Sequence, residues 1–388
     1  MGILIISWNF PPRRGGIEYV VSHLFGGLRE RHPVLVITGR APFPRPAEED
    51  VFRAPYSGLI FFSLYTLWRG ARLLLRSPKT KVIFGGSVMV TPLVLILARL
   101  FGRKAVVQAH GLDVIYANKF YQAICVRWLR FCDRIVANSG YTAFLVAQKR
   151  VRQEIISVIP PGVQTESFTE PTDVDAIKKG FGLQGKHAIL FVGRLAKRKG
   201  VKEFIENSFA KIVSKIPNVC FVVVGNNPSE SLTHRDDMMG QIKAVICAMG
   251  LLNHVQLCGA VDDDEVIKLY QACDVVVLPA LAETDDVEGF GIVLLEAAAA
   301  GKPAVATRVG GIPDAIEHEK TGVLVNAGDY EGLAQAVLSL LNDPLARSKM
   351  GRVARQRAEK EFGWEEIVDR YETAFRVGGT STNDHNVF

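Results

Sequence analysis

Two rhythms of apolar residues alternate along this chain. Short, nearly unbroken runs at 2–6, 33–38, 82–85, 104–108 and 134–138 read as strands buried on both faces. Between them, apolar positions recur at helical spacing, as at Ile17, Val20, Val21, Leu24, Phe25 and Leu28. The alternation resumes with runs at 187–192, 219–224, 255–258, 274–278 and 303–307, and helices are predicted over 329–342 and 344–375. Strands separated by helices predict an α/β fold of doubly wound parallel sheets. The pattern breaks from Ile159-Pro160-Pro161-Gly162 to Asp173, where a linker is expected. The domains expected are a Rossmann-like unit over 1–165 and a second over 166–360. A helix over 361–376 is expected to pack back on the first unit, with a disordered tail over 377–388.

Two apolar stretches stand apart. Leu59 to Arg76 is rich in aliphatic and aromatic residues and closed by arginines. It reads as a core-facing helix with solvated arginines; the alternative is an amphipathic helix lying on a membrane surface. Val88 to Leu100 is too short to span a bilayer and reads as a buried helix covering the sheet.

At 388 residues the chain has room for two cores, and 48% hydrophobic with 22% charged residues is ordinary for a globular protein. The six cysteines form no CxxC pair and are expected to be reduced, buried thiols rather than a disulfide frame or zinc site. No signal peptide is evident, so a cytoplasmic location is expected, with the inner face of the membrane as a further option. Charge changes the picture more. Residues 1–170 carry 22 Lys and Arg against 10 Asp and Glu, whereas residues 171–388 carry 24 against 30. The basic first half points to an anionic acceptor or anionic membrane as partner, with no nucleic acid expected.

The candidate chemistry lies at predicted strand ends. Glu288, Gly289, Phe290, Gly291 and Ile292 lead into an apolar helix carrying Glu296. Glycines let a backbone approach a ligand, and a helix N-terminus suits a phosphate. One carboxylate on each side of a bound diphosphate fits a nucleotide-sugar, which has hydroxyls on both sides; solvated acids in an ordinary loop-helix unit are the plain alternative. Arg194 and Lys199 follow the strand at 187–192 and can reach one anion, with Lys197 and Arg198 expected to be the solvated members of the run. Gly15 and Gly16 lie between a strand and a helix without forming GxGxxG, which disfavours a nicotinamide dehydrogenase. His110, with Asp113 close behind, follows the strand at 104–108, where it can donate to a substrate oxygen or serve structure alone. Asp262, Asp263 and Asp264 read as a helix start, with Asp263 or Asp264 as N-cap, and not as a metal site; Asp285 and Asp286 read as loop acids.

Taken together, FPPRRGGIE (10–18), HGLD (110–113), NSGYT (138–142), IPPGV (159–163), GRLAKRKG (193–200) and EGFGIVLLEAAAAGKPAVAT (288–307) resemble the retaining GT-B glycosyltransferases of family four. Within that family they look most like bacterial phosphatidylinositol-mannoside mannosyltransferases. The resemblance implies two Rossmann-like domains facing a central cleft, and transfer of a hexose from a nucleotide-sugar with no metal or other cofactor. GDP-mannose is the first donor implied and a UDP-sugar the second, with a lipid-linked or polyanionic acceptor. It implies that Arg194 and Lys199 hold the diphosphate, Glu288 the sugar hydroxyls and Glu296 the ribose, and that His110 touches the transferred sugar. Gly15 and Gly16 would lie near the donor phosphate or acceptor. Gly259 and Val261 would lie near the base, and Asp113 and Tyr141 on the acceptor side. A nucleotide-sugar epimerase of the same architecture and a non-catalytic nucleotide-sugar-binding or membrane-surface protein are the alternatives.

Overall fold

The computed structural model describes residues 1–41, 49–168, 173–227, 237–284 and 286–376. The chain forms two compact units, Met1–Pro161 with the final helix Trp364–Arg376, and Gly162–Gly363. The predicted tail, part of the predicted linker (169–172) and Asp285 lie outside the described residues.

The first unit is built on strands β1 (Gly2–Ser7), β2 (Val34–Thr38), β3 (Val51–Arg53), β4 (Thr80–Gly85), β5 (Lys104–Ala109), β6 (Arg134–Ala137) and β7 (Ile156–Val158). They pair in parallel in the order β3-β2-β1-β4-β5-β6-β7. Side chains alternate between the two faces. Ile3 and Ile5 of β1 join a cluster with Val82, Phe84 and the helices Gly16–Arg29 and Trp364–Arg376. Leu4 and Ile6 face the opposite cluster, covered by the helices Leu59–Arg76 and Thr91–Phe101. Burial on both faces is why these strands show no alternation in the sequence.

The second unit holds β8 (His187–Val192), β9 (Val219–Val224), β10 (Val255–Gly259), β11 (Val275–Leu278), β12 (Ala304–Thr307) and β13 (Gly322–Val325). These too are parallel, in the order β10-β9-β8-β11-β12-β13, around a core of their own. Strand order reverses between β1 and β4 in one sheet and between β8 and β11 in the other. At such switch points the loops at the carboxyl ends diverge and leave a crevice for ligands.

Three strands escape the sequence pattern: β3, β7 and β13. All are sheet-edge strands of three or four residues, too short to show a period. The helix predicted over 344–375 is two helices, Pro344–Glu361 and Trp364–Arg376, broken at Phe362-Gly363 where one unit gives way to the other. The helix Leu59–Arg76 is apolar on two sides. Phe62, Thr66, Gly70 and Leu74, four apart, are buried. Ile60, Phe61, Leu64, Trp68 and Leu75 are each more than half exposed. The core-facing reading therefore describes only one side of it.

Candidate active site

In the second unit, β8 leads into the loop 193–200 and β11 into the loop 279–291, so both loops sit at the switch point. They lie backbone against backbone. Gly200 has φ +68°, and a Cβ there would stand 2.0 Å from the Pro279 carbonyl oxygen. Leu281 N–H donates to the Arg198 carbonyl at 2.8 Å. Glu288 is pinned from behind: its carbonyl accepts from Gly311 N–H at 2.9 Å, and a Cβ on Gly310 would come within 2.1 Å of that oxygen.

These contacts bring three consecutive cations onto three acids. Lys197 Nζ pairs with Glu283 at 3.0 Å on the surface. The Arg198 guanidinium spans Asp286 at 2.8 Å and Glu288 Oε2 at 3.0 Å. Lys199 Nζ meets the same Glu288 oxygen at 2.7 Å. The side chains of Arg198, Lys199 and Glu288 are only 11%, 9% and 11% exposed. Arg194 is exposed and forms no ion pair with any described residue.

Burial alone pushes the Glu288 carboxyl up, but Lys199, Arg198 and Arg194 outweigh it and hold it below the usual carboxylate range. Burial pulls the Lys199 ammonium down, Arg198 and Arg194 pull the same way, and Glu288 offsets only part of this. Burial leads the Lys199 shift and the surrounding cations the Glu288 shift, and in both Arg194 and Arg198 act the same way: with Lys199 they outnumber the carboxylates of Asp286 and Glu288. The cluster is short of negative charge and suits an anion.

The short helix Ile292–Ala299 starts from Gly291 at φ +89°, with no side chain capping it. The N–H groups of Gly289 to Val293 find no acceptor among the described residues, so they stand ready for a ligand oxygen. Glu296 lies on this helix, and one oxygen accepts from Tyr270 Oη at 2.7 Å. Burial pushes the Glu296 carboxyl up despite that hydrogen bond. Gly259 and Val261 sit at the carboxyl end of β10, tied to the neighbouring strand by Gly225 N–H donating to the Gly259 carbonyl at 2.7 Å.

The other site residues belong to the first unit. Gly15 and Gly16 begin the helix after β1, and Asn9 donates to Glu18 in its first turn at 2.7 Å. His110 directly follows β5, with Nε2 2.9 Å from the Gly86 carbonyl. A carbonyl can only accept, so Nε2 carries the proton and Nδ1 of the neutral ring is an acceptor. Both oxygens of Asp113 are committed to backbone, one to His110 N–H at 2.8 Å and one to Val88 N–H at 3.1 Å. Tyr141 is 38% exposed at the start of a helix capped by Ser139.

Some expectations need correction. Arg198 is not solvated, and Asp286 is no idle loop acid; both serve the Glu288 cluster. The cap of the helix Asp263–Ala272 is Asp262, which accepts from Glu265 N–H at 2.8 Å. The six cysteines are free, but only Cys132, Cys220 and Cys273 are buried, and Cys247 is exposed. Sequence reasoning set Arg198 and Asp286 aside and did not single out Tyr270. Arg198 looks like any member of a charged run, and nothing adjacent in sequence marks Tyr270 as the partner of Glu296. Among the described residues no group of three His, Cys, Asp or Glu converges as a metal site, and no helix is long and apolar enough to cross a membrane.

Two family descriptions match this chain: "Glycosyl transferases group 1" over residues 173–357 and "Glycosyltransferase Family 4" over residues 14–167. A GDP-mannose-dependent alpha-(1-6)-phosphatidylinositol monomannoside mannosyltransferase of Mycolicibacterium smegmatis is 27% identical over 93% of this chain and 95% of its own length. A glycogen synthase of Mycobacterium tuberculosis is 26% identical over 95% of this chain and 92% of its own. Among solved structures, Anabaena Alr3699/HepE in complex with UDP superposes with a TM-score of 0.79 at 22% identity, covering 96% of this chain and 99% of that one.

Proposed function

Because the chain belongs to the group 1 glycosyltransferases, with two Rossmann-like sheets of the GT-B kind, we propose that it moves mannose from GDP-mannose to a hydroxyl of a lipid-linked acceptor with retention of anomeric configuration. The observation that carries the donor half of this reading is the electropositive cluster of Arg194, Arg198 and Lys199 around buried Glu288 at the β8–β11 switch point. The mannose and the lipid come from the relative in Mycolicibacterium smegmatis.

In this reading Arg194 and Lys199 hold the diphosphate, and the N–H groups from Gly289 to Ile292 complete its cradle. Glu296 accepts the ribose hydroxyls, and Glu288 accepts hydroxyls of the sugar. Gly259 and Val261 border the base, and Gly15 and Gly16 let the backbone approach phosphate or acceptor. His110, acting through Nδ1, accepts a hydroxyl of the transferred sugar, held in place by Asp113. Tyr141 lies on the acceptor side. As the glycosidic bond to phosphate breaks, negative charge grows on the departing diphosphate, where fixed cations and N–H groups stabilise it most. The acceptor hydroxyl attacks from the same face and passes its proton to the leaving phosphate oxygen. The counter-charge comes from side chains, so the reaction is expected to survive excess chelator.

A lipid-linked acceptor requires the enzyme to meet a membrane surface. The exposed apolar stripe of the helix Leu59–Arg76 suits that, flanked by Arg72 and Arg76. No Asp or Glu occurs between Asp50 and Asp113, a stretch holding nine Lys and Arg. Anionic lipid is the matching surface.

The test is incubation with GDP-mannose or UDP-hexoses, with and without phosphatidylinositol mannoside acceptors, reading product anomer by NMR. Mannosyl product of retained configuration, formed only with acceptor, is expected. Transfer from UDP-glucose alone overturns the donor, and sugar isomerised without acceptor overturns the transfer reading.

A further inference from the structure

The Glu288 cluster has one cation more than binding a diphosphate and holding a carboxylate in place would each call for. We propose that Arg198 is a positioning residue: it keeps Glu288 neutralised so that Lys199 is free to turn from that carboxylate to the diphosphate of a donor. This rests on the reading that the cluster binds a nucleoside diphosphate.

Glu288 Oε2 receives both Lys199 at 2.7 Å and Arg198 at 3.0 Å. A carboxylate 11% exposed cannot release its only counter-ion without a large desolvation penalty. With a single partner, Glu288 and an incoming diphosphate would compete for one ammonium. With two, one partner can leave.

The chemistry of the two cations decides which leaves. Arg198 is fixed at both ends of its planar fork, Nε on Asp286 and a terminal nitrogen on Glu288. Its main-chain carbonyl is also held by Leu281 N–H at 2.8 Å. Lys199 carries a point charge with three donors on a flexible stem, and among the described residues it pairs with no carboxylate but Glu288. Its proton is held less firmly than a free lysine's, because burial and two neighbouring guanidinium groups work against it. A diphosphate would relieve that. Lys199 therefore gains by moving, and Arg198 does not.

The experiment measures GDP and UDP affinity by calorimetry for the full-length chain, Arg198→Met, Glu288→Gln and the double variant, with Tm recorded for each. With Glu288 present, Arg198→Met is expected to weaken nucleoside diphosphate binding at least tenfold. In the Glu288→Gln background, where no carboxylate holds Lys199, it should change affinity less than threefold. Arg198→Lys, which keeps the charge, should recover most of the loss. Equal weakening in both backgrounds overturns the proposal, because Arg198 would then touch phosphate itself. Unchanged affinity in Arg198→Met overturns it too. If Arg198→Met does not fold, Asp286→Asn loosens Arg198 without altering Glu288 or Lys199. It must then show a smaller loss that likewise vanishes beside Glu288→Gln. A full-length chain that binds neither GDP nor UDP fails at the donor reading, a result distinct from any difference among variants.

Discussion

Two carboxylates eight positions apart carry opposite burdens. Glu288 is depressed by its cations, and Glu296 is raised by burial with Tyr270 as its hydrogen-bond partner. The signs follow by linkage. Glu288 adds stability above the unfolded carboxyl pKa of about 4.3, and that stability is lost as pH falls through the lower folded value. Glu288→Gln should therefore lower stability at pH 7 by on the order of 3 kcal/mol, since it strands the buried Lys199 ammonium and leaves Arg198 with Asp286 alone. It should also flatten the acid side of a Tm-against-pH curve and cut kcat/KM by about a hundredfold or more. Glu296 works in the other direction. Its folded pKa is raised, so its contribution is fully present below about 4.3 and is lost as pH rises through the folded value. Glu296→Gln should then raise Tm at pH 7 to 8 while weakening nucleotide binding. A fall in Tm at that pH, with Tyr270 still buried, would contradict an upward shift caused by burial.

At the scale of elements, the site depends on loops that touch through glycine. Gly310 has φ +54° and no room for a Cβ beside the Glu288 carbonyl. Gly310→Ala should cost about 1–3 kcal/mol from backbone strain and displace Glu288, so activity should fall more than stability alone explains. Comparing specific activity of the folded fraction with Tm separates the two effects. The helix Leu59–Arg76 predicts the reverse dissociation. Leu64 and Trp68 are exposed, so replacing both by Glu should change stability by only about 0.5 kcal/mol each. The same double variant should lose sedimentation with phosphatidylglycerol vesicles at low salt. Full retention of vesicle binding would remove that helix from the membrane surface.

For the whole molecule, the chain order matters. The second unit is one continuous segment with its own core, and the first is completed only by the helix Trp364–Arg376. Ile367, Val368, Tyr371 and Phe375 of that helix are at most 1% exposed and cover Phe84 and the helix Gly16–Arg29. At about 1.5–3 kcal/mol for each large apolar side chain, a chain stopped at Gly363 should lose the first unit's stability. A segment of residues 162–363 should still fold and gain Tm with GDP or UDP, by mass action. Cooperative melting of that segment, read by circular dichroism, checks the first point and a nucleotide-dependent shift the second.

By itself the sequence determined the fold class, because buried parallel strands must read as apolar runs and amphipathic helices must read at their own period. It also singled out Arg194, Lys199, Glu288, Glu296 and the glycines near them as candidates, through spacing at strand ends and a family resemblance, while leaving solvated charges as the plain alternative. It could not pair them. Whether Arg198 or Lys197 faces Glu288, which oxygen of Glu296 Tyr270 occupies, and which nitrogen of His110 holds a proton depend on loops far apart in the chain. The loops carrying Arg198 and Glu288 meet where strand order reverses, with Gly200 and Gly310 at their closest backbone approaches. Short edge strands were lost for a related reason: three or four residues show no period, and the neighbouring strand gives them their conformation.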